Sequence, residues 1–168
     1  MTALRDRPRI NPERSPVEYA LEILALTALL STIGLVAYHW RGLPAEVPTH
    51  FGFDGRPDAW GDRIHLWWSP IIGLVLYAAL TVLARWPWLF NYPYAITADN
   101  APTQYRLARE MLVVTKCLAL FMLLWVTWVS VRAALGLATG LGQAFLVGCL
   151  AAIVLNMVVY FMRARRAR

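Results

Sequence analysis

The sequence predicts an all-α fold, a four-helix polytopic membrane protein with an ordered extracytoplasmic loop between helices 1 and 2. Three observations carry this reading. The 168 residues are 59% hydrophobic and only 15% charged, whereas a soluble domain carries roughly 25% charged residues. The apolar residues gather into four windows, about 20–40, 66–84, 111–131 and 141–162, each near the roughly 20 residues that cross a hydrocarbon core of about 30 Å. The arginines, finally, cluster between the windows instead of spreading along them. Backbone amides in lipid must find partners within their own segment, so the windows are expected to be helices. A soluble bundle is excluded, because a chain of this length cannot bury four helices that are apolar all round.

The first helix has Glu22 near its start and an apolar core longer than that of a signal peptide. Arg41-Gly42-Leu43-Pro44 follows it instead of a small-residue cleavage site, so it is expected to stay in the membrane. Residues 1–19, rich in proline and charge, are expected to form a loosely ordered arm. The connection 41–65 is by far the larger of the two extracytoplasmic connections. Pro44 and Pro48 stiffen its approach, and Val47, His50 and Phe51 suit a short strand-like piece. Phe53-Asp54-Gly55-Arg56-Pro57 suits a turn in which the acid caps amides and glycine accepts positive φ. A second turn is expected at Trp60-Gly61-Asp62. Pro48, Phe51, Gly55, Pro57, Trp60 and Gly61 are thus read as structuring the loop, with Phe51, Phe53 and Trp60 pressing it onto the membrane surface or the helix ends.

After the second helix, Pro87 and Pro93 oppose regular helix, and Trp86, Trp88, Phe90, Tyr92 and Tyr94 suit a segment lying along the interface. Helix is expected to resume near Thr103, with Asp99 or Thr103 as cap. Residues 132–140 form a short connection whose glycines permit a tight turn, and 163–168 form a basic tail. Cys117 and Cys149 both fall inside spans and read as small buried side chains, not as a disulfide framework.

The net charge of +6 is a matter of orientation. Arg5, Arg7, Arg9, Arg14, Arg85, Arg106, Arg109, Arg163, Arg165, Arg166 and Arg168 fall on one side, and Arg41, Arg56, Arg63 and Arg132 on the other. The positive-inside rule then places both termini in the cytoplasm. Trp40, Trp67, Trp68, Trp125 and Trp128 lie near the outer ends of their spans, where amphipathic rings favour the headgroup layer. The terminal RARRAR reads as an anchor beside anionic membrane lipid. Nucleic acid is not an expected partner, since no basic domain or stacking platform accompanies the charge.

Two groups of polar residues are candidates for function. Glu22, Lys116 and Asn156 lie in apolar windows of three different helices. At 1.5 Å per residue, Lys116 and Asn156 are roughly 8 and 9 Å below the same surface. Charge inside a membrane is costly unless paired or snorkelling. A Glu22–Lys116 ion pair assisted by Asn156, a snorkelling Lys116 with Asn156 bonded to a neighbouring helix, and a transport or relay role all stand open. In the loop, His50, Asp54 and Asp58, with His65 as a fourth, offer ligands for Zn²⁺ or Ca²⁺, although the spacing matches no familiar metal motif. The same residues suit a structural lid or a contact surface for a peptide or small ligand. A histidine–aspartate pair near Ser69 is the remaining enzymatic reading, without the motifs of a serine hydrolase or zinc protease.

The combination of Leu43-Pro44, Val47-Pro48-Thr49-His50-Phe51, Gly55, Pro57-Asp58 and Trp60-Gly61, followed by Asn91-Tyr92-Pro93 and Gln104-Tyr105-Arg106, resembles a family of small bacterial integral membrane proteins of undefined function. That family shares the N-terminal domain of SdpI-like toxin-immunity proteins. The resemblance implies a multi-pass protein of the bacterial cytoplasmic membrane. It also implies a non-enzymatic accessory role with a peptide or membrane-protein partner, through toxin-peptide immunity or signalling. The second characteristic segment of the longer immunity proteins is not found in this chain.

Overall fold

The computed structural model describes residues 6–168; Arg5 and the start of the arm lie outside them. The elements run α1 (Pro16–His39), β1 (Glu46–Phe51), β2 (Pro57–Asp62), a 3-10 turn (Arg63–Trp67), α2 (Trp68–Leu83), a second 3-10 turn (Pro87–Leu89), α3 (Ala101–Ala134) and α4 (Gln143–Arg166). Four helices are long and apolar enough to cross a membrane, counting the first 3-10 turn with α2. The chain is a multi-pass membrane protein with an ordered β-hairpin between helices 1 and 2.

Local chemistry sets the helix ends. Ser15 caps α1 in a reciprocal box, its Oγ accepting from the Glu18 amide at 3.2 Å while Glu18 Oε2 accepts from the Ser15 amide at 2.8 Å. Pro16 opens the helix where no N–H is needed. α3 begins at Ala101, earlier than the Thr103 start expected, and neither Asp99 nor Thr103 caps it. Asn100 holds the N-cap position, locked by Thr97 N to Asn100 Oδ1 at 2.9 Å and Asn100 N to Thr97 Oγ1 at 3.3 Å. Pro102 sits in the first turn, where its missing N–H costs nothing, so the helix starts before it. α4 runs through the basic residues to Arg166; cations in a last turn favour the negative end of the helix dipole.

α3 is the spine. Its 34 residues span about 51 Å at 1.5 Å each, well beyond the membrane core. α1 and α2 pack together on one flank of it, and α4 packs on another and stays almost wholly exposed elsewhere. A helix that is apolar all round suits contact with lipid. In the middle of the bundle, Ala25, Ala28 and Leu29 meet Cys117 and Leu120. Gly73 lets α2 close on this seam, because a Cβ there would press on Leu29 and Leu120 at 3.1 and 3.3 Å.

The hairpin departs from the expectation in one respect. Trp60-Gly61-Asp62 is not a turn but the end of β2, paired antiparallel with β1 as Pro48 to Trp60, Val47 to Gly61 and Glu46 to Asp62. Val47 is fully buried with Val36, Leu43, Leu66 and Val131, which draws β1 onto the helix ends, and β2 follows along the ladder. The arm also departs from expectation. It is strapped to the terminal end, where Arg7 donates to the carbonyls of Trp88 (3.1 Å) and Phe90 (2.6 Å), and the Tyr105 hydroxyl donates to the carbonyl of Pro8 at 3.0 Å.

Candidate functional site

The hairpin is held at both ends. At its base, Arg63 N donates to Ala45 O at 2.9 Å, and the Arg63 guanidinium lies 5.1 Å from the Trp40 ring. At its tip, Gly52 N donates to Arg56 O and Gly55 N to Gly52 O, both at 2.9 Å, and Asp54 Oδ1 accepts from the Arg56 amide at 3.0 Å. Gly55 has a φ of 78°, a left-handed conformation that glycine adopts without cost. Its carbonyl accepts from the Leu141 amide at 2.7 Å, docking the tip on the α3–α4 connection. That approach depends on Gly140, since a Cβ there would collide with the Gly55 carbonyl oxygen.

Of the four candidate ligands, the fold brings together His50 and Asp58, with Nδ1 2.6 Å from Oδ1. Asp54 is near them: its Oδ1 and Asp58 Oδ2 each lie 3.2 Å from where a Cβ on Gly52 would stand. His65 turns away and bonds the Asp62 carbonyl at 2.7 Å. Among the described residues, no group of three or more His, Cys, Asp or Glu is placed to hold a metal ion. His50, Asp54, Asp58 and His65, expected as ligands for Zn²⁺ or Ca²⁺, thus do not come together as one four-residue set. Backbone groups at the turn and at the 3-10 start occupy two of its members. Ser69 lies in the first turn of α2 and bonds neither histidine.

What the hairpin leaves open is a surface. Phe53 is fully exposed at the tip and Trp60 is exposed on β2. Phe51 is half-buried, and Pro48 is buried. A cavity of about 500 Å³ separates Arg56, Pro57 and Trp60 from Ala133, Ala138 and Thr139. Pro48 has no N–H, so its pair with Trp60 is a non-hydrogen-bonded one, and the Trp60 amide and carbonyl face the free edge of β2. β1 packs on α3 and its edge is blunted by Pro48, so β2 presents the open edge.

The intramembrane residues divide into two sites. Lys116 Nζ donates to both Glu22 oxygens at 2.7 Å and to Thr81 Oγ1 at 2.9 Å, and lies 4.7 Å from the centre of the Tyr77 ring. All three ammonium protons are thereby used. Asn156 does not join them; its Nδ2 donates to the Met111 carbonyl at 3.1 Å and to Thr115 Oγ1 at 3.0 Å. The result is one polar clasp between α1, α2 and α3, and another between α3 and α4.

The terminal end holds a network that sequence reasoning missed. Arg109, counted above only as an orienting charge, is 2% exposed against a Glu18 that is 1% exposed. Its Nε donates to Glu18 Oε1 at 2.6 Å and its Nη2 to Glu18 Oε2 at 3.1 Å and Glu13 O at 2.9 Å. Nη1 donates to Asn11 Oδ1 at 2.8 Å and Pro12 O at 2.7 Å. All five guanidinium donors are satisfied. The signal was the Ser-Pro-Val-Glu capping pattern at 15–18, which fixes Glu18 where Arg109 can reach it. Around this network, Gln104 closes the last turn of α4 by donating to Ala164 O at 2.8 Å and Ala167 O at 2.9 Å. Arg106 is paired loosely with Glu110 at 4.0 Å, and Asn91 and Pro93 line an apolar cavity. The Tyr92 hydroxyl donates to Pro87 O at 2.8 Å. Burial, then Tyr160 and Tyr105 nearby, pushes the Tyr92 phenol well above the usual tyrosine range.

Residues 27–74 match the family described as a domain of unknown function (DUF1648). The match takes in the second half of α1, the hairpin and the start of α2, and it is to the family of small membrane proteins that the 43–61 motif resembles. No curated protein and no solved structure matches the chain.

Proposed function

We propose that this multi-pass membrane protein, with its hairpin inside the matched 27–74 segment, is a non-enzymatic accessory protein that recognises a peptide segment through the hairpin. Immunity to a secreted toxic peptide and signalling to a membrane partner are the two specific forms. The proposed orientation puts the terminal end, rich in arginine, in the cytoplasm of a bacterial cell and the hairpin outside it. The observation that carries the reading is that the hairpin is fixed at base and tip while the edge of β2, Trp60 and Phe53 stay open. A pre-formed edge lets a peptide add as a strand without an ordering cost on the receptor side. The test is affinity purification of the tagged protein from its native membranes, with and without replacement of residues 52–60 by a Gly/Ser loop of equal length. Loss of a captured peptide or protein from the replaced form supports the reading. Capture of the same partner by both forms overturns it.

A second reading, binding of a divalent cation or small ligand, is favoured by the His50–Asp58 contact with the Asp54 carboxylate beside it. Calorimetric titration of the purified protein with Zn²⁺ or Ca²⁺ checks it. Stoichiometric binding abolished by His50→Ala and Asp58→Ala supports a site, and an absence of binding heat removes it.

A further inference from the structure

The seam between α3 and α4 is not closed along its length. At the terminal end, a cavity of about 750 Å³ lies beneath Asn91, Tyr92 and Pro93, between Leu83 of α2 and Met157 of α4. Toward the hairpin end, a second cavity of about 430 Å³ runs past Ala119, Gly148 and Ala152. The two share Thr115 and Ile153 as wall residues, so they form one groove. From Ala108 to Trp125 it follows α3 for about 25 Å at 1.5 Å per residue. Stacked rings of Trp125 and Phe145, 5.6 Å apart, stand at its far end. The groove lies along helices long and apolar enough to span the membrane and is lined mostly by apolar side chains.

The two ends of the groove differ in charge. At the terminal mouth, the Arg168 guanidinium lies 4.6 Å from the ring centre of Tyr94, the residue after Pro93. Arg163 is neutralised by Glu110 at 2.8 Å, whereas Arg165, Arg166 and Arg168 have no carboxylate partner among the described residues. The α4 C-terminus thus carries uncompensated cations directly after Tyr160 and Phe161, which line the groove. Beyond the Trp125–Phe145 end, Arg132 of α3 is engaged with the Trp128 ring at 5.5 Å and the Leu137 carbonyl at 3.2 Å.

We propose that this groove holds one acyl chain of an anionic phospholipid, whose phosphate is held by Arg165 and Arg168 at the terminal mouth. The length suits a single chain running from headgroup level past the midplane, since one leaflet of the hydrocarbon core is about 15 Å thick. The free arginines distinguish this lipid from a zwitterionic one, because each basic residue at an anionic surface favours association by about fivefold. Lipid then completes the contact between α4 and the rest of the bundle, which among the helices α4 makes mainly through α3. The proposal does not depend on the peptide reading of the hairpin.

The test uses the full-length protein, stripped of native lipid in detergent, then offered phosphatidylglycerol or phosphatidylcholine with the same chains. Native mass spectrometry reads occupancy. One phosphatidylglycerol per chain, retained on the order of tenfold better than phosphatidylcholine, is expected, with the preference shrinking as salt rises from 0.05 to 0.5 M, roughly where screening of exposed charges becomes strong. Arg165→Glu with Arg168→Glu removes the preference, and Ala152→Trp, which fills the groove, removes retention of both lipids. Equal retention of the two lipids by the wild type at low salt overturns the headgroup assignment. Undiminished retention by Ala152→Trp, or a dimer in place of the lipid adduct, overturns the groove as a lipid site. The comparison of lipids and the salt series on the wild type decide the headgroup question even if a variant fails to fold.

Discussion

The two ends of the bundle each hold an acid–base contact of 2.6 Å, Arg109 to Glu18 at the terminal end and His50 to Asp58 at the hairpin end. Distance does not distinguish them, but surroundings do. The arginine and glutamate are 2% and 1% exposed, with every other donor of the guanidinium bonded to the arm. The histidine and aspartate are 69% and 52% exposed. Removing one partner from a buried pair strands a charge where water cannot reach it, whereas an exposed pair exchanges its partner for solvent. The terminal end is therefore held by buried side-chain electrostatics beside an apolar cluster that includes Tyr92, Ile96, Tyr105 and Tyr160. The hairpin end is held by buried Val47 and by backbone contact between Gly55 and Leu141.

Four substitutions sharpen this contrast. Arg109→Ala is expected to be the most damaging, at about 3–5 kcal/mol, because Glu18 stays buried without its cation. Thermal unfolding in detergent measures the loss, and faster proteolysis of the arm should accompany it. A change no larger than that of a surface substitution would refute the contrast. Gly140→Ala should cost about 1–3 kcal/mol by forcing the backbone away from Gly55. Hydrogen exchange would then rise at Leu141 and across 52–56, while the arm keeps its protection.

Tyr92→Phe deletes the bond to Pro87 O and should cost about 1 kcal/mol at neutral pH. Since the folded phenol is pushed upward, its stabilisation is complete below the unfolded tyrosine value of about 10 and is lost as pH rises above it. The wild type should accordingly lose thermal stability above pH 10, and the variant should lose less over the same range. Asp58→Asn comes last, with an expected effect of about 0–1 kcal/mol on unfolding. A loss comparable to that of Arg109→Ala would show that the hairpin pair is a structural lock after all.

Which features were legible follows from the kind of information each requires. Four spans were readable because composition and length alone satisfy the membrane criterion. The contact of Glu22 with Lys116 was one of the readings open from depth along the helix axis, and Asn156 shows the limit of that reasoning. It lies at a similar depth but bonds Thr115, which neighbours Lys116 in sequence and points about 100° away around α3. Depth is one coordinate, and azimuth had to come from packing. Trp60-Gly61-Asp62 carries the composition of a turn, but the burial of Val47 in the strand opposite makes it a strand. The arm was read as loose from its prolines and charges. Yet its carbonyls at Pro8, Pro12 and Glu13 are the acceptors that Tyr105 and Arg109 require, and that demand arises nearly a hundred residues later.

α3 contains no glycine, and its one proline, Pro102, is confined to the first turn, so it lacks the usual places for a helix to kink. Val131 at one end packs under β1, and Arg109 at the other grips the arm. These positions lie about 33 Å apart along the axis at 1.5 Å per residue. A displacement of the hairpin is therefore expected to reach the opposite end as a tilt of the whole helix.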